Sequence, residues 1–529
     1  MPRWLWMIAA LAVLIYLNAI PGDFVFDDKL IQRDPRVLGQ TSFWTIFVTD
    51  YWYKYIGTSA DLYRPLTIAS YAINHMLAGM SSPAFHVANI ALHALVSVVV
   101  VLLVDALFRD RDLSVTSGLL FAAHPLHTEA VTGIVGRAEL LSAVFLLWAL
   151  YLHARSYVLF GWGRALWLPL ALIAYLCALL SKETAIVGPG LLVLVEVVRR
   201  LDQTPRTGVA LKSNLPSRPW LPFFAVLALY VAVAGVYLGI RYQVVGVFLQ
   251  KPPQKSYLLL FGHPLRTRVL TALTIVMIYA RLLTLPVTLS ADYSFRQVPL
   301  IESLNDAAPL IGLAILIAVG VVFLWAIRRR LLPLAFGIAF FAVAYALVGN
   351  LIVPIGVMVA ERLMYLPSVG FCIAVAWVGL TGVRRYAPKL PSPWRQRAPS
   401  MALTTVLLLY GVRTFVRNMD WRDNEHLYAA TVAASPDCHA AHFNYSAILL
   451  RDPNKKELAL QELLKAYAIR RDHYPSLVNL ASVYLDLDQP YRAREIAVEG
   501  LKVRPDGREL QGLLAAAEQR LRAQAPGGE

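Results

Sequence analysis

Charged residues are scarce in this sequence: Asp, Glu, Lys and Arg make up 16% of its 529 residues, against about a quarter in an ordinary soluble protein. The deficit is uneven. Apolar stretches of about 17 to 23 residues recur from Trp4 to Val416, and each is long enough to cross a bilayer as a helix. After Arg417 the sequence becomes polar and amphipathic. This pattern excludes a single soluble domain and predicts a membrane body, 1–416, followed by a soluble tail, 417–529.

Cysteine is also rare, with three residues in the chain. Cys177 and Cys372 fall inside predicted spans and Cys438 lies in the tail, so no pair suggests a disulfide framework or a cysteine metal site. The sequence also lacks a basic stripe interleaved with aromatics, so its net charge of +15 does not indicate nucleic-acid binding. Excess Lys and Arg are instead typical of the cytoplasmic loops of membrane proteins.

The basic clusters predict the topology. We predict that Trp4–Ile20 is a retained helix rather than a cleaved signal peptide, because no small-x-small cleavage site closes it. With a cytoplasmic N-terminus and about eleven crossing helices, the clusters all face the cytoplasm. The stretch 266–288 is apolar but contains Arg266, Arg268 and Arg281, so we predict an interfacial or re-entrant helix on the outer side. The other predicted spans are 84–107, 114–126, 138–155, 165–181, 185–198, 219–240, 308–327, 331–350, 366–383 and 399–416. The clusters are Arg3; Arg109 and Arg111; Arg155 and Arg164; Arg199, Arg200, Arg206, Lys212 and Arg218; Arg328, Arg329 and Arg330; and Arg384, Arg385, Lys389, Arg395 and Arg397.

Three segments then lie outside the membrane: the first outer loop, 21–83, the second outer loop, 241–307, and the tail. The tail has helical periodicity with a repeat of 34 or 35 residues, since Asn444-Tyr-Ser-Ala447 aligns with Asn479-Leu-Ala-Ser482. It resembles the tetratricopeptide repeat, with about two full units and a fraction. Roughly three repeats are needed for independent stability, so we expect the tail to pack on the membrane body. It serves either as a structural cap or as a groove for a substrate or partner.

Two polar motifs lie in the first outer loop. Asp27 and Asp28 follow the first helix, and paired carboxylates at a membrane surface can supply a general base because proximity and burial raise one pKa. The alternative is an ordinary capping or loop aspartate. Arg64, in Tyr63-Arg-Pro-Leu-Thr67, either binds a phosphate or snorkels to lipid headgroups.

Further polar motifs lie at the outer ends of later helices. His124-Pro-Leu-His-Thr-Glu129 has elements of a metal site but not the usual zinc spacing. We therefore favour contacts with an anionic substrate, with Arg137 of Gly136-Arg-Ala-Glu139 on a phosphate. Ser181-Lys-Glu183 and Glu361-Arg362 complete the set.

All these motifs fall on one face of the membrane. A transporter would place them near the midplane, usually within inverted repeats, and no such repeat is visible. Their convergence favours a reaction on a lipid-linked phosphate in the outer leaflet.

In this order the motifs resemble the transmembrane and tetratricopeptide-repeat O-mannosyltransferases and their bacterial relatives, in the C-type glycosyltransferase superfamily. The resembling segments are Phe24-Val-Phe-Asp-Asp28, Tyr63-Arg-Pro-Leu-Thr67, Phe85-His-Val-Ala-Asn89 with His93, His124-Pro-Leu-His-Thr-Glu-Ala130, Gly136-Arg-Ala-Glu139, Leu180-Ser-Lys-Glu183, Glu361-Arg-Leu-Met-Tyr-Leu-Pro-Ser368 and Arg417-Asn-Met-Asp-Trp-Arg422. The resemblance implies an all-α membrane body with the C-type glycosyltransferase fold. It also implies transfer of a sugar, typically mannose, from a polyprenyl- or dolichyl-phosphate donor to a protein hydroxyl, with inversion and without a metal or other cofactor.

The resemblance also implies roles for the candidate residues. The superfamily's catalytic carboxylate lies in the first outer loop, which matches Asp27, ahead of Asp28, as the base. Under this hypothesis, four cations stabilise the departing phosphate: Arg64, Arg137, Lys182 and Arg362. Four further side chains position sugar hydroxyls or hold the cations: His124, His127, Glu129 and Glu361.

The short repeat array leaves the acceptor open, as an exported protein or a glycan. The compact Arg- and Ala-rich composition predicts a bacterial inner-membrane protein with periplasmic repeats. The alternatives are a membrane-anchored repeat scaffold and a lipid-linked sugar transporter.

Overall fold

A computed structural model describes residues 3–53, 61–156, 161–201, 220–248, 260, 262–352 and 354–524. Within these ranges the chain forms helices and no strand, which confirms the all-α prediction. Part of the second outer loop and the basic residues Arg206, Lys212 and Arg218 lie outside the described residues.

The body consists of α-helices joined by short 3-10 helices and by loops of very different length. Its α-helices are α1 Arg3–Tyr16, α2 Pro65–Ala78, α3 Ser82–Phe108, α4 Arg111–Ala123, α5 Thr128–Val131, α6 Arg137–Arg155, α7 Gly161–Ser181, α8 Gly188–Leu201, α9 Leu221–Val245, α10 Leu265–Thr284, α11 Ala307–Arg328, α12 Leu332–Tyr345, α13 Pro367–Tyr386 and α14 Trp394–Asp420. Its 3-10 helices are Leu17–Ala19, Phe26–Arg33, Phe43–Phe47, Pro125–His127, Ile134–Gly136, Glu183–Val187, Glu361–Met364 and Ala387–Lys389.

Seven helical stretches in the described part of the chain are long and apolar enough to cross a membrane, and the chain is an integral membrane protein. They are Ser82–Phe108, Ile134–Arg155, Leu221–Val245, Leu265–Thr284, Ala307–Arg328, Pro367–Lys389 and Arg397–Asp420. Three shorter apolar helices accompany them: Arg3–Ala19, Leu166–Ser181 and Leu332–Tyr345.

The count of about eleven crossings stays a prediction. The predicted spans 114–126 and 185–198 form α4 and α8, of 13 and 14 residues. At 1.5 Å per residue these helices are only about 20 Å long. Conversely, α10 has the length and composition of a span, so the helix itself does not favour the interfacial or re-entrant placement of 266–288.

The main core of the body packs α6 against α3 and α7, and α13 against α4 and α12. Buried aliphatic residues of α3 and α6 dominate it, among them Val100, Leu103, Leu146 and Leu150. A second core joins α10 to the segment 289–301 and to the turn before α13. The polar motifs therefore lie on short turns at the ends of the helices that form these two apolar cores, and the packing of the cores fixes the positions of the turns.

The tail is an array of helix pairs. α16 begins at His439 and α18 at Tyr474, which matches the repeat read from the sequence. The preceding helix α14 runs unbroken to Asp420, so residue 417 lies within a helix rather than at a break. The tail helices are α15 Asn424–Ala434, α16 His439–Leu449, α17 Lys456–Ile469, α18 Tyr474–Asp486, α19 Pro490–Val503 and α20 Arg508–Gln524, with a 3-10 turn at Pro453–Lys455.

The repeat array packs on the membrane body, as its small size predicts. The backbone N–H of His439 donates to the carbonyl of Phe295 at 2.8 Å, and the Ser435 hydroxyl donates to Ser290 Oγ at 2.8 Å. The N–H of Asp23 donates to the carbonyl of Arg422 at 2.8 Å. The first outer loop thus contacts the connection between α14 and α15, and the second outer loop contacts the connection between α15 and α16.

Candidate active site

Asp27 and Asp28 occupy different environments on the 3-10 helix Phe26–Arg33. Asp28 is 2% exposed. Its Oδ1 accepts the N–H of Val135 at 2.7 Å, and its Oδ2 accepts the N–H of Val25 at 3.3 Å. Burial raises the pKa of Asp28 to about 7, although these backbone hydrogen bonds lower it in part. Asp28 therefore ties the first outer loop to the turn before α6.

Asp27 as a residue is half-buried, and its carboxylate accepts no hydrogen bond in the described part of the chain. Burial raises its pKa above the usual aspartate range. The nearby Arg362 guanidinium lowers it, and the carboxylates of Glu129 and Asp292 raise it. A carboxylate with a raised pKa and no fixed partner can accept a proton from an incoming hydroxyl.

Arg362 is held beside Asp27 by Glu129. The Glu129 Oε2 accepts the backbone N–H of Arg362 at 2.8 Å, and Oε1 forms an ion pair with its guanidinium. Glu129 is buried, whereas 24% of the Arg362 side chain is exposed. Glu129 therefore holds the backbone and the guanidinium of Arg362, while part of the Arg362 side chain remains accessible from the site.

Two further cation–carboxylate pairs continue the site. Arg64 binds Glu183 through two hydrogen bonds of 2.6 and 2.8 Å, and Lys182 forms an ion pair with Glu139. Burial acts to raise the pKa of Glu183, but Arg64 and Lys182 outweigh it and lower that pKa to about 2. Glu139 interacts electrostatically with Arg64, Lys182 and Arg362, which links the three cations. Their binding of a donor phosphate stays a prediction.

Arg137 lies in the wall of the site rather than at its surface. Its guanidinium is buried and donates to Asn89 Oδ1, Asn74 Oδ1 and two backbone carbonyls at 2.8 to 3.3 Å. It also stacks on the rings of Tyr71 and Phe85. These contacts fix the start of α6, and contact of Arg137 with phosphate stays a prediction.

His124 and His127 are fully buried. His124 Nδ1 accepts the N–H of Leu126, and Nε2 lies 3.0 Å from the carbonyl of Leu283. His127 Nε2 lies 2.8 Å from Ser368 Oγ. These contacts join the turn after α4 to α10 and α13. Neither ring forms a hydrogen bond to a cation of the cluster within the described residues, so their predicted role is untested.

Glu361 binds the second outer loop. Its Oε1 accepts the N–H of Ser290 at 2.6 Å and the hydroxyl of Tyr293 at 2.8 Å. Burial raises the pKa of Glu361 to about 7, although Arg417 opposes the shift. A role in positioning sugar hydroxyls stays a prediction.

The sequence interpretation missed three residues at this site. Asp292 of the second outer loop interacts electrostatically with Asp27, and Tyr428 of the repeat array interacts with both. Asn424, also in the array, accepts the backbone N–H of Phe26. A single acid in a long loop, and polar residues on the first helix of a repeat, form no sequence motif that would predict a role at this site.

No group of three or more metal-ligating side chains that could hold a metal forms among the described residues. The expectation of a metal-free site remains a prediction.

The comparisons point to one family. The model described as "Protein O-mannosyl-transferase TMTC, DUF1736" matches residues 261–320. Human Protein O-mannosyl-transferase TMTC3 is 31% identical over 506 residues, which cover 92% of this chain and 54% of that protein. Human TMTC1 is 30% identical over 518 residues, with coverage of 91% and 56%.

Two solved structures are distantly similar. Archaeal oligosaccharyltransferase AglB from Archaeoglobus fulgidus has a TM-score of 0.40 and 14% identity, covering 87% of this chain and 59% of that one. ArnT from Cupriavidus metallidurans has a TM-score of 0.41 and 14% identity, with coverage of 98% and 89%.

The chain spans about half the length of the curated relatives it matches. The match to those relatives extends over nine-tenths of the chain, and the family model falls on the second outer loop and the helices beside it. Over nine-tenths of its length the chain is therefore similar in sequence to members of the TMTC family.

Proposed function

We propose that this protein is a membrane glycosyltransferase. In this proposal it moves mannose from a polyprenyl-phosphate donor to a hydroxyl of an exported protein or glycan, with inversion. The observation that carries the proposal is the Asp27 carboxylate, which has a raised pKa and accepts no hydrogen bond among the described residues, near the partly exposed Arg362. The names of the relatives, protein O-mannosyl-transferases, support the choice of reaction.

The chemical step needs one base and one anion-binding group. Asp27 removes the proton from the acceptor hydroxyl as its oxygen attacks the anomeric carbon of the sugar. The bond between that carbon and the phosphate oxygen breaks, and the lipid phosphate leaves with the electron pair. The products are the glycosylated acceptor and the free lipid phosphate, and the proton passes from Asp27 to solvent.

Three cations serve the leaving group in this proposal. Arg362 and Arg64 keep 24% and 13% of their side chains exposed. Lys182 is paired with Glu139 and keeps 6% of its side chain exposed. Because each is already paired with a carboxylate, the site carries no large excess of positive charge. A donor phosphate would share Arg362 with Glu129, which favours binding of a phosphodiester over a more highly charged phosphate.

We further propose that the site faces the periplasm of a bacterial inner membrane, with a cytoplasmic N-terminus and an acceptor that approaches along the repeats. This orientation follows from the basic clusters on the opposite face. It also puts the acceptor, the repeats and Asp27 in one compartment.

The experiment is transfer of labelled sugar by the purified protein in detergent, with a periplasmic extract as acceptor. Polyprenyl-phosphate mannose is compared with the glucose and arabinose analogues. We expect transfer from the mannose donor, and we expect Asp27→Asn to reduce it about 100- to 10,000-fold, as for loss of a general base.

Asp28→Asn is the matched variant at the neighbouring carboxylate. It should lower thermal stability, because Asp28 anchors two backbone N–H groups, whereas Asp27→Asn should leave stability unchanged. If the folded protein binds the lipid but transfers sugar from none of the three donors, the proposed glycosyltransferase activity is wrong. A role as a scaffold or a lipid carrier would then be favoured.

A further inference from the structure

The first outer loop and the repeat array are joined directly beside Asp27. Asn424, the first residue of α15, accepts the backbone N–H of Phe26 through Oδ1 at 3.1 Å. Its Nδ2 donates to the carbonyl of Phe24 at 3.4 Å. One side-chain amide thus binds the backbone on both sides of Val25.

Phe26 has a backbone conformation that needs support. Its φ is +54°, in the left-handed region that residues other than glycine rarely adopt. Phe26 is also the residue immediately before Asp27, so its backbone angles set the direction in which the Asp27 side chain leaves the chain. An amide that fixes the Phe26 N–H therefore also fixes the catalytic carboxylate.

Neighbouring contacts hold the same junction. Val25 is fully buried in a small cluster with Trp421 and Leu427, and the Phe26 ring lies 6.3 Å from that of Tyr428. All three partners precede α15 or lie on it. The repeat array forms one wall of the site that contains Asp27.

We propose that Asn424 is a positioning residue, which holds Phe26 in its left-handed conformation and thereby aims the Asp27 carboxylate at the acceptor. The proposal rests on the proposed function above. It gives the repeat array a part in the chemical step, distinct from any docking of the acceptor along the repeats. Even a short acceptor peptide that cannot reach the repeats would then depend on Asn424.

The first test uses Asn424→Ala with a short Ser- and Thr-containing peptide as acceptor and polyprenyl-phosphate mannose as donor. We expect kcat to fall about 100-fold, as a misplaced reacting group does, with an unchanged KM for the donor. The acid limb of the pH profile should also move, because the surroundings of Asp27 change. Glu425→Gln is the control, since Glu425 pairs with Lys455 inside the array and should keep wild-type kcat.

The second test compares Phe26→Gly with Phe26→Val, and it does not depend on whether Asn424→Ala folds. Both variants lose the ring, but glycine adopts a positive φ freely and the β-branched valine does not. We expect Phe26→Gly to keep a clearly higher kcat than Phe26→Val. Phe26→Gly should also restore part of the activity lost in Asn424→Ala.

The outcomes separate the two proposals. If the wild-type protein transfers no sugar, the proposed function fails. If the wild type transfers sugar but Asn424→Ala keeps its kcat and pH profile, or Phe26→Gly and Phe26→Val have equal kcat, the positioning role of Asn424 is wrong while the enzyme stands.

Discussion

Glu129 and Arg362 are 233 positions apart in the sequence and meet at two points, a backbone hydrogen bond of 2.8 Å and a side-chain ion pair. The backbone contact fixes the turn Glu361–Met364 against α5. The side-chain contact leaves 24% of the Arg362 side chain open beside Asp27. One carboxylate therefore holds both a loop and a cation in place.

The first prediction concerns this cation. Arg362→Gln should lower kcat about 100- to 1,000-fold, or about 3 to 4 kcal/mol of barrier, as loss of one donor that stabilises developing charge typically does. The backbone N–H of residue 362 still donates to Glu129 in this variant, so the fold should survive. Initial rates of mannose transfer and the melting temperature measure the two effects.

Arg384→Gln is the matched control. Arg384 pairs with Asp110 and Asp112, its side chain is 56% exposed, and it lies in the last turn of α13, whereas Arg362 precedes the start of that helix. Exposed ion pairs contribute little, so this variant should keep the wild-type rate. Equal rates for Arg362→Gln and wild type would remove Arg362 from the phosphate site.

The second prediction separates structure from donor binding at Arg64. The pair with Glu183 has two hydrogen bonds of 2.6 and 2.8 Å. The single variants Arg64→Glu and Glu183→Arg should both be unstable, because each places like charges together in a partly buried site. The double exchange should recover the melting temperature but leave the KM for the donor raised.

The reason lies in the position of the positive charge. The exchange restores the ion pair, but the cation moves from the first outer loop to the turn after α7. If the double variant regains both stability and the wild-type KM, Arg64 serves only to hold that turn.

Local sequence was sufficient to find most of the charged motifs, because each lies on a turn directly after or before an apolar helix. It could not tell Arg137 from Arg362. Arg137 is the first residue of α6 and Arg362 lies in the turn before α13. Arg137, however, donates to Asn89 of α3 and Asn74 of α2 and is enclosed by them. Partners distant in sequence decide which guanidinium stays open.

The same limit applies to Asp27 and Asp28. Their adjacency indicates a paired carboxylate, but only the docking of Val135 on Asp28 shows which of the two is already occupied. Asp292 and Asn424 were missed for a related reason. Each reaches the site only because the second outer loop and α15 fold over the first outer loop.

The existence of most helices could be predicted from the length of the apolar stretches. The number of membrane crossings could not, because α4 and α8 are apolar but short, whereas α10 is long enough to cross but contains three arginines.

The third prediction is a shift in pH dependence. Asp27 must be ionised to accept a proton, and its pKa is raised by burial and by the charge of Asp292. The acid limb of kcat/KM should therefore lie above the pH at which an ordinary aspartate titrates, with activity lost as the pH falls through it. Asp292→Asn removes a negative neighbour, so it should stabilise ionised Asp27 and move the limb to lower pH.

Asp306→Asn is the control for this shift, since Asp306 is an exposed acid of the same loop and is not among the groups that act on Asp27. It should leave the limb in place. An identical limb in wild type and Asp292→Asn would mean that Asp292 does not act on the base.

The fourth prediction tests the turn on which Asp28 rests. A Cβ added at Gly136 would lie 2.2 Å from the backbone carbonyl oxygen of Ala130, and a backbone atom cannot move aside as a side chain can. Gly136→Ala should therefore destabilise the protein by about 1 to 3 kcal/mol, as overpacking typically does. It should also lower activity by displacing Val135, whose N–H anchors Asp28.

Gly235→Ala in α9 is the matched change, because a Cβ there meets nothing within 4 Å, and it should keep wild-type stability and rate. If Gly136→Ala melts at the wild-type temperature, the turn can relax without loss, and its rigidity is not what holds the first outer loop in place.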